Sequence, residues 1–459
     1  MNNKKKMILL SDDMRMSSGI ATISKNLVMG TVDSYDWFQV GAAVNHPDKG
    51  KMLDLSADVQ KRTGVDDASV KILPWAGYGN PDLLRQIINS EQPDGIVFFT
   101  DPRYFKWLFE IEHEIRQNCP LIYYNIWDST PDPNYNANFY ASCDGLLSIS
   151  KQTYGINHRV VENKFGKDFK DKICIQYVPH GIDSEEFKPV DVPNEFRKSI
   201  LGDGDYDFVF FWSNRNIRRK QPADVIMAYK EFCDRLSKEE ADTTVLLMHT
   251  QPVDQNGTDL TEVVKNLAPN YNIIFSDKKL PTDKLNLLYN LSDCTINIAG
   301  NEGFGLTTAE SVMAGTPIIV NVTGGLQDQC GFKLDEKYLT ADDYMEIGSL
   351  HNWRKWEHNV TSGPWCNPVW SRAQTLAGSV PTPYIWDDKV DIFNVATSMY
   401  EIYHTSKGKL KEFGLEGRRA FIEDVGLSKE NMCQQLTNGI NSTLENFQPR
   451  KRYELFKIS

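Results

Sequence analysis

Thr295-Ile296-Asn297-Ile298-Ala299-Gly300-Asn301-Glu302-Gly303-Phe304-Gly305-Leu306-Thr307-Thr308-Ala309-Glu310 opens as a short apolar run, passes through glycines and ends in an amphipathic helix. The run Thr295–Ile298 reads as a strand, and Leu306–Ala314 as the helix that follows. Glycine at a strand-to-helix turn lets backbone N–H groups approach a bound anion closely. The helix start adds unpaired donors and partial positive charge. Gly303, Phe304, Gly305, Leu306 and Thr307 are therefore expected to cradle a phosphate. Glu310, about one turn into the helix, suits a vicinal diol such as a ribose. Glu302, before the turn, would face the other end of the ligand and grip sugar hydroxyls. Taken alone, the segment also reads as a glycine turn before a solvated helix glutamate.

The same strand–helix rhythm extends both ways from this stretch. Met7–Leu10, Gly95–Thr100, Leu121–Ile126 and Gly145–Ser150 read as strands, with helices at Ile20–Met29 and Lys106–Arg116. It restarts at Phe208–Trp212 and runs through Pro317–Val320. Continuous apolar strands separated by helices imply parallel sheets and crossover units. The interruption at Pro179–Asn194, with three prolines and several acids, reads as a linker between two doubly wound α/β domains. The expected division is 1–185, 186–440 and a C-terminal helix, 441–459, crossing back to the first domain.

A second motif follows the strand Phe208–Trp212: Ser213-Asn214-Arg215-Asn216-Ile217-Arg218-Arg219-Lys220. Cations at the carboxyl end of a strand point into the crevice where open α/β sheets bind ligands. Arg offers a planar fork and Lys a point charge for phosphate. A solvated basic loop is the alternative. Val178-Pro179-His180-Gly181-Ile182-Asp183, with Phe187 and Pro189 beyond, reads as a hinge. Ala314-Gly315-Thr316-Pro317 and Gly324-Gly325 read as a helix stop, a strand start and a tight turn.

Together these motifs resemble glycosyltransferase family 4, a retaining family with the GT-B fold. Glu302 to Glu310 matches its E-x7-E signature, and Val178–Asp183 with Phe187 and Pro189 its interdomain signature. Arg215 and Lys220 match the cations that hold the donor diphosphate. Gly315-Thr316-Pro317 and Gly324-Gly325 match the strand and turn after the signature helix. The resemblance is strong over roughly 175–326 and only in outline in the N-terminal half. It implies a nucleotide-sugar donor, best a UDP sugar, held by Arg215, Lys220 and the Gly305–Thr307 backbone. It also implies retention at the anomeric carbon and no metal, the UDP sugar being a co-substrate rather than a cofactor.

In the N-terminal half, Gly19 fits the family's glycine loop that reaches the diphosphate. Where the family carries a histidine near the transferred sugar, this chain reads Asn125-Ile126-Trp127-Asp128. Asp128 would position the acceptor or stabilise positive charge on the sugar; a capping role before Ser129 and Thr130 is the alternative. The tract 351–386 breaks the rhythm and holds five of the chain's ten tryptophans, enough to argue against disorder. It reads either as a small core covering one sheet edge or as an acceptor-side wall, with Trp365 and Trp370 as stacking faces. His351, His358 and Cys366 within it fit no standard zinc spacing.

This tract resembles a tailed-phage subset of glycosyltransferases, some of which modify hydroxylated cytosines in DNA. Double-stranded DNA is thus the expected acceptor, with a polysaccharide, a lipopolysaccharide or a small molecule as alternatives. A base within a duplex would have to be flipped out. Arg159, Lys164, Lys167, Lys170, Lys172 and Arg450-Lys451-Arg452 are candidate phosphate contacts. A net charge of −12 counts against non-specific nucleic-acid or membrane binding. No apolar run approaches the roughly 18–20 residues that span a bilayer. Met7–Leu10 is too short for a signal-peptide core, and eight scattered cysteines without a CxxC pair suit a reducing cytoplasm. A non-catalytic sugar-nucleotide sensor and a sugar-nucleotide epimerase remain open from the sequence.

Overall fold

The computed structural model describes residues 4–42, 47–345 and 357–451. Strands β1 (Lys5–Asp12), β2 (Tyr35–Ala42), β3 (Leu53–Asp54), β4 (Val70–Trp75), β5 (Gly95–Phe98), β6 (Leu121–Asn125), β7 (Gly145–Ser148) and β8 (Cys174–Tyr177) build the first sheet. Their order is β3-β4-β2-β1-β5-β6-β7-β8. All pairs are parallel except the short edge strand β3 on β4. Met7–Leu10 lies at the centre and is buried on both faces, as a continuous apolar run in a parallel sheet must be.

The second domain repeats the plan with β9 (Phe208–Ser213), β10 (Thr244–His249), β11 (Ile273–Ser276), β12 (Cys294–Asn297) and β13 (Ile318–Asn321). A small hairpin, β14 (Lys333–Leu334) and β15 (Lys337–Tyr338), follows. β16 (Cys366–Val369) then joins the edge of the second sheet, whose order is β11-β10-β9-β12-β13-β16, all parallel. A second hairpin, β17 (Ala373–Ser379) and β18 (Thr382–Lys389), completes the strands.

Nine of these eighteen strands, β2–β4, β8 and β14–β18, escape the sequence pattern. β2 carries Asp36 and Gln39 among its aromatics; Gln39 is buried because its amide reaches Ser11 Oγ and Asp12 O, each at 2.8 Å. β4 is interrupted by Lys71 and Pro74, and β8 and β16 are four residues long and mixed in polarity. The helix expected over Lys106–Arg116 is broken at Ile111 into Lys106–Glu110 and Glu112–Ile115.

The chain crosses between domains twice, side by side. The outgoing strand at Ile182 and the returning strand at Leu427–Lys429 exchange backbone hydrogen bonds of 2.9 and 3.0 Å. Gly181 passes so close to Ser428 O that a Cβ there would collide with it. The Lys429 ammonium seals the pair on Asp183 at 2.8 Å. The helix that returns to the first sheet starts at Lys429 and ends at Asn446, upstream of the 441–459 expected. Ser428 caps it, and Met432, Cys433, Leu436 and Ile440 form its buried stripe. Tyr35 Oη bonds Asn441 there at 2.8 Å. Residues 452–459, including Arg452, lie outside the described residues.

Candidate active site

In each sheet the strand order reverses at one place, between β1 and β5 and between β9 and β12. Open α/β sheets bind ligands at the carboxyl ends of strands beside such a switch point. Both motifs singled out in the second domain lie there: Ser213–Lys220 leaves β9, and Ala299–Gly305 leaves β12.

Lys220 closes a short 3-10 turn, Arg218–Lys220, with 9% of its side chain exposed. Its ammonium pairs with the Glu302 carboxylate. Arg219 Nη1 donates to Asn301 O at 2.5 Å and stands 3.8 Å from Glu302 and 4.0 Å from Asp128. Burial pushes the Lys220 ammonium well below its ordinary value, Arg219 pushes it further, and Asp128 opposes both. Two adjacent cations at a strand end, only partly neutralised, are suited to receive a dianion.

Arg215 does not join them. Asn216 is fully buried, its amide held by Pro252 O and Thr258 O at 3.0 and 2.7 Å. Arg215 instead is 64% exposed and pairs with Asp254 at 2.8 Å. Arg219, and not Arg215, stands beside Lys220 and Glu302. The basic loop announced a cation, but its spacing did not say which of three arginines faces inward.

Gly305 is left-handed (φ 89°) and starts the helix Leu306–Met313, whose first turn no side chain caps. Gly324 and Gly325 lie beneath the turn: Gly325 N donates to Glu302 O at 2.9 Å, and a Cβ on Gly325 would strike Gly303 O. Phe304 is buried, 5.3 Å from the His180 ring. Across the cleft, Gly19 begins the helix Gly19–Met29, and a Cβ there would sit 3.1 Å from Leu306. The two helix starts therefore face one another, with Thr307 in the first turn of the second. Glu310 is buried, accepts from Tyr289 Oη at 2.6 Å, and has its carboxyl pushed up to about 7, chiefly by burial.

The first-domain wall is Trp127-Asp128-Ser129. Ser129 Oγ donates to Asp128 Oδ1 at 3.0 Å and reaches Asn301 at 3.3 Å, joining the two domains. A cavity of about 450 Å³ lies here, lined by Arg103, Trp127, Asp128, Arg219, Asn301 and Asp387 among others. Its roof is the β17–β18 hairpin. Trp386 N donates to Thr130 O at 2.6 Å, and Tyr135 Oη to Tyr384 O at 3.0 Å. On the other side Asp388 N bonds Gly300 O at 3.1 Å, and Gln221 reaches Asp388 O at 3.0 Å.

Trp365 is not an acceptor-side wall. It is 1% exposed, packs on Gly331, Gly417 and Phe421, and donates from its indole to Gln329 O at 3.0 Å. Trp370 lies on Phe332 with ring centres 5.5 Å apart and does not line the cavity. The small-core reading fits both, since β16 between them covers the edge of β13. His351, Trp353 and Trp356 fall outside the described residues. The hairpin's role had no sequence signal beyond the break in rhythm. The expected basic cluster is dispersed: Arg159 pairs with Asp132 at 3.0 Å, and Lys170 with Glu162 at 2.5 Å. Lys172 and Arg450 border a separate groove beside the C-terminal helix.

Among the described residues, no group of three or more His, Cys, Asp or Glu side chains could hold a metal ion, and no helix is long and apolar enough to cross a membrane.

Two doubly wound sheets with their switch points turned toward one cleft define the GT-B fold. Residues 193–334, within the second domain, match the family model described as Glycosyl transferases group 1. The sucrose-phosphate synthase of Thermosynechococcus elongatus superposes over 96% of this chain and 100% of its own, at 13% identity and TM-score 0.63. HepE of Anabaena, solved with UDP and glucose, covers 95% and 100%, at 12% identity and TM-score 0.60. A trehalose-6-phosphate protein of E. coli bound with UDP-2-fluoro glucose covers 97% and 100%, at 10% identity and TM-score 0.63. No curated protein sequence matches the chain.

Proposed function

We propose that this protein transfers a sugar from a UDP sugar to a hydroxyl group. The observation that carries this is the buried Lys220 beside Arg219, set next to the uncapped glycine turn of Leu306–Met313. A donor diphosphate lying there receives both cations and the helix start. Glu302, released from Lys220, accepts hydroxyls of the transferred sugar, and Glu310 accepts the ribose diol. As the anomeric C–O bond breaks, its electron pair stays on the diphosphate. The fixed positive groups stabilise that charge, the largest single contribution in sites of this kind. They do so without a divalent ion. Asp128, on the opposite wall, faces the sugar as positive charge grows on it.

The acceptor enters through the 450 Å³ cavity. Acceptor attack from the face that the diphosphate leaves retains the anomeric configuration, the hydroxyl proton passing to the departing phosphate oxygen as the new C–O bond forms. Asp128, Asp387, Asn301 and Ser129 on its walls are hydrogen-bond acceptors for ring hydroxyls, which favours a saccharide. Of the cations expected to contact DNA, Arg159 and Lys170 are paired and Lys172 and Arg450 border a separate groove, while the arginines on the cavity itself are Arg103, Arg218 and Arg219. Eight free cysteines, seven of them buried, fit a cytoplasmic site of action, where nucleotide sugars are made.

The test is UDP release from a panel of UDP sugars, with saccharides and hydroxymethylated DNA as acceptors. Wild-type protein should release UDP with at least one donor, and Lys220→Ala should lose about 100- to 1,000-fold in turnover with its fold intact. Intact UDP sugar bound without release would make the protein a sensor. Isomerised UDP sugar without acceptor would make it an epimerase.

A further inference from the structure

One turn of helix, Leu326–Gln329, follows the Gly324-Gly325 pair and holds three polar side chains in a row: Gln327, Asp328 and Gln329. They are 1%, 1% and 0% exposed. Three consecutive buried polar side chains are unusual in a core, because each must find partners. Their partners lie in two directions. Gln329 Nε2 donates to Phe304 O at 2.6 Å and Gly305 O at 2.9 Å, the two carbonyls of the donor turn. The other two side chains reach into the first domain. Gln327 Nε2 donates to Gln152 Oε1 at 3.0 Å, and Gln152 in turn donates to Asp128 O at 2.9 Å. Asp328 Oδ2 accepts from Lys151 N at 3.0 Å and Tyr177 Oη at 2.9 Å.

Lys151 is the first residue of the helix Lys151–Phe165, and Ser150 caps that helix through Thr153 N, leaving Lys151 N to find another acceptor. The acceptor is a carboxylate from the opposite domain, favourably placed at a helix start. Opening the cleft would strip Lys151 N and Tyr177 Oη of their partner together. The same opening would part Gln327 from Gln152, and so loosen the Asp128 wall.

We propose that Gln327, Asp328 and Gln329 are positioning residues that couple contact between the domains to the shape of the donor turn. The coupling to nucleotide rests on the UDP-sugar reading above; the interdomain latch itself does not. Gln327 and Asp328 reach the donor only through other residues. Replacing them alters nucleotide binding only if domain contact and turn geometry are linked.

The experiment uses the full chain and its Asp328→Ala, Asp328→Asn and Gln327→Ala variants. Circular dichroism checks the fold, small-angle scattering reads the radius of gyration, and calorimetry reads UDP affinity. Ligand-free Asp328→Ala should be more expanded than wild type. UDP should contract wild type but not this variant, and its affinity for UDP should fall about tenfold, as for coupled equilibria of ordinary size. Asp328→Asn, which keeps an acceptor oxygen, should recover part of both effects. Gln327→Ala should move in the same direction by less. Folded Asp328→Ala and Gln327→Ala with wild-type dimensions and wild-type UDP affinity would overturn the proposal. Wild type that binds no UDP would overturn the nucleotide reading, while the ligand-free dimensions would still decide the latch.

Discussion

The two walls of the cleft are built in different ways. The wall proposed for the donor comes from two continuous segments, Phe208–Lys220 and Cys294–Met313, each a strand, a turn and the start of a helix or helical turn. The wall proposed for the acceptor gathers Arg103, Trp127–Ser129 and Asp387 from three places far apart in the chain. A wall made of one local motif carries its chemistry in its own order of residues. A wall made by tertiary contact does not. The donor wall also recruits backbone N–H groups, which any sequence supplies once glycine permits the turn. The acceptor wall depends on side chains delivered by a hairpin insertion.

Trp365 gives the largest expected effect that separates the two walls. Seated in the second domain's core, Trp365→Ala should destabilise the protein by about 3–5 kcal/mol, as large-to-small core changes do. Thermal unfolding reads this directly. A stable variant whose only defect is a raised acceptor KM would return Trp365 to the acceptor wall. Next in size is the contrast between two arginines. Arg219→Ala should lower turnover at least about tenfold, because it removes a fork aimed at the leaving diphosphate. Arg215→Ala should stay within about twofold, as exposed surface changes usually do. Equal losses in both would place Arg215 at the diphosphate after all.

Glu310 gives a smaller, pH-dependent effect. Its carboxyl sits at about 7 because burial disfavours the charged form; Glu186 adds to this, and Tyr289 opposes it. Below that value it is protonated and cannot accept two hydrogen bonds from a diol; above it the carboxylate can. Uridine affinity should therefore rise by about tenfold between pH 6 and pH 8 and level off beyond. Glu310→Gln should flatten the profile. A wild-type affinity that is independent of pH would remove Glu310 from the ribose.

This contrast also explains what could be read in advance. The parallel α/β plan was legible, and Lys220, Glu302 and the glycine turn could be singled out as candidates, because apolar runs and turn glycines sit next to one another in the chain. Arg219 stands in the basic loop, but the sequence does not distinguish it from Arg215 and Arg218, since burial of Asn216 decides which neighbour turns inward, and that is a tertiary fact. Trp365 was drawn toward the cleft by its aromatic neighbours, yet Gly331 and Gly417 make room for its ring in the core. The 327–329 latch carried no signal, because buried Gln and Asp look like surface residues until their partners are known.

The central claim is that Lys220, Arg219 and the start of Leu306–Met313 hold a diphosphate. Calorimetric titration of UDP against uridine, in wild type and in Lys220→Ala, tests it most directly. Wild type should bind UDP about a hundredfold more tightly than uridine, the size expected when charge-assisted hydrogen bonds form. That difference should collapse in Lys220→Ala while uridine affinity stays unchanged. A wild type that binds the two ligands equally, or a variant that keeps the full preference for UDP, would contradict the account.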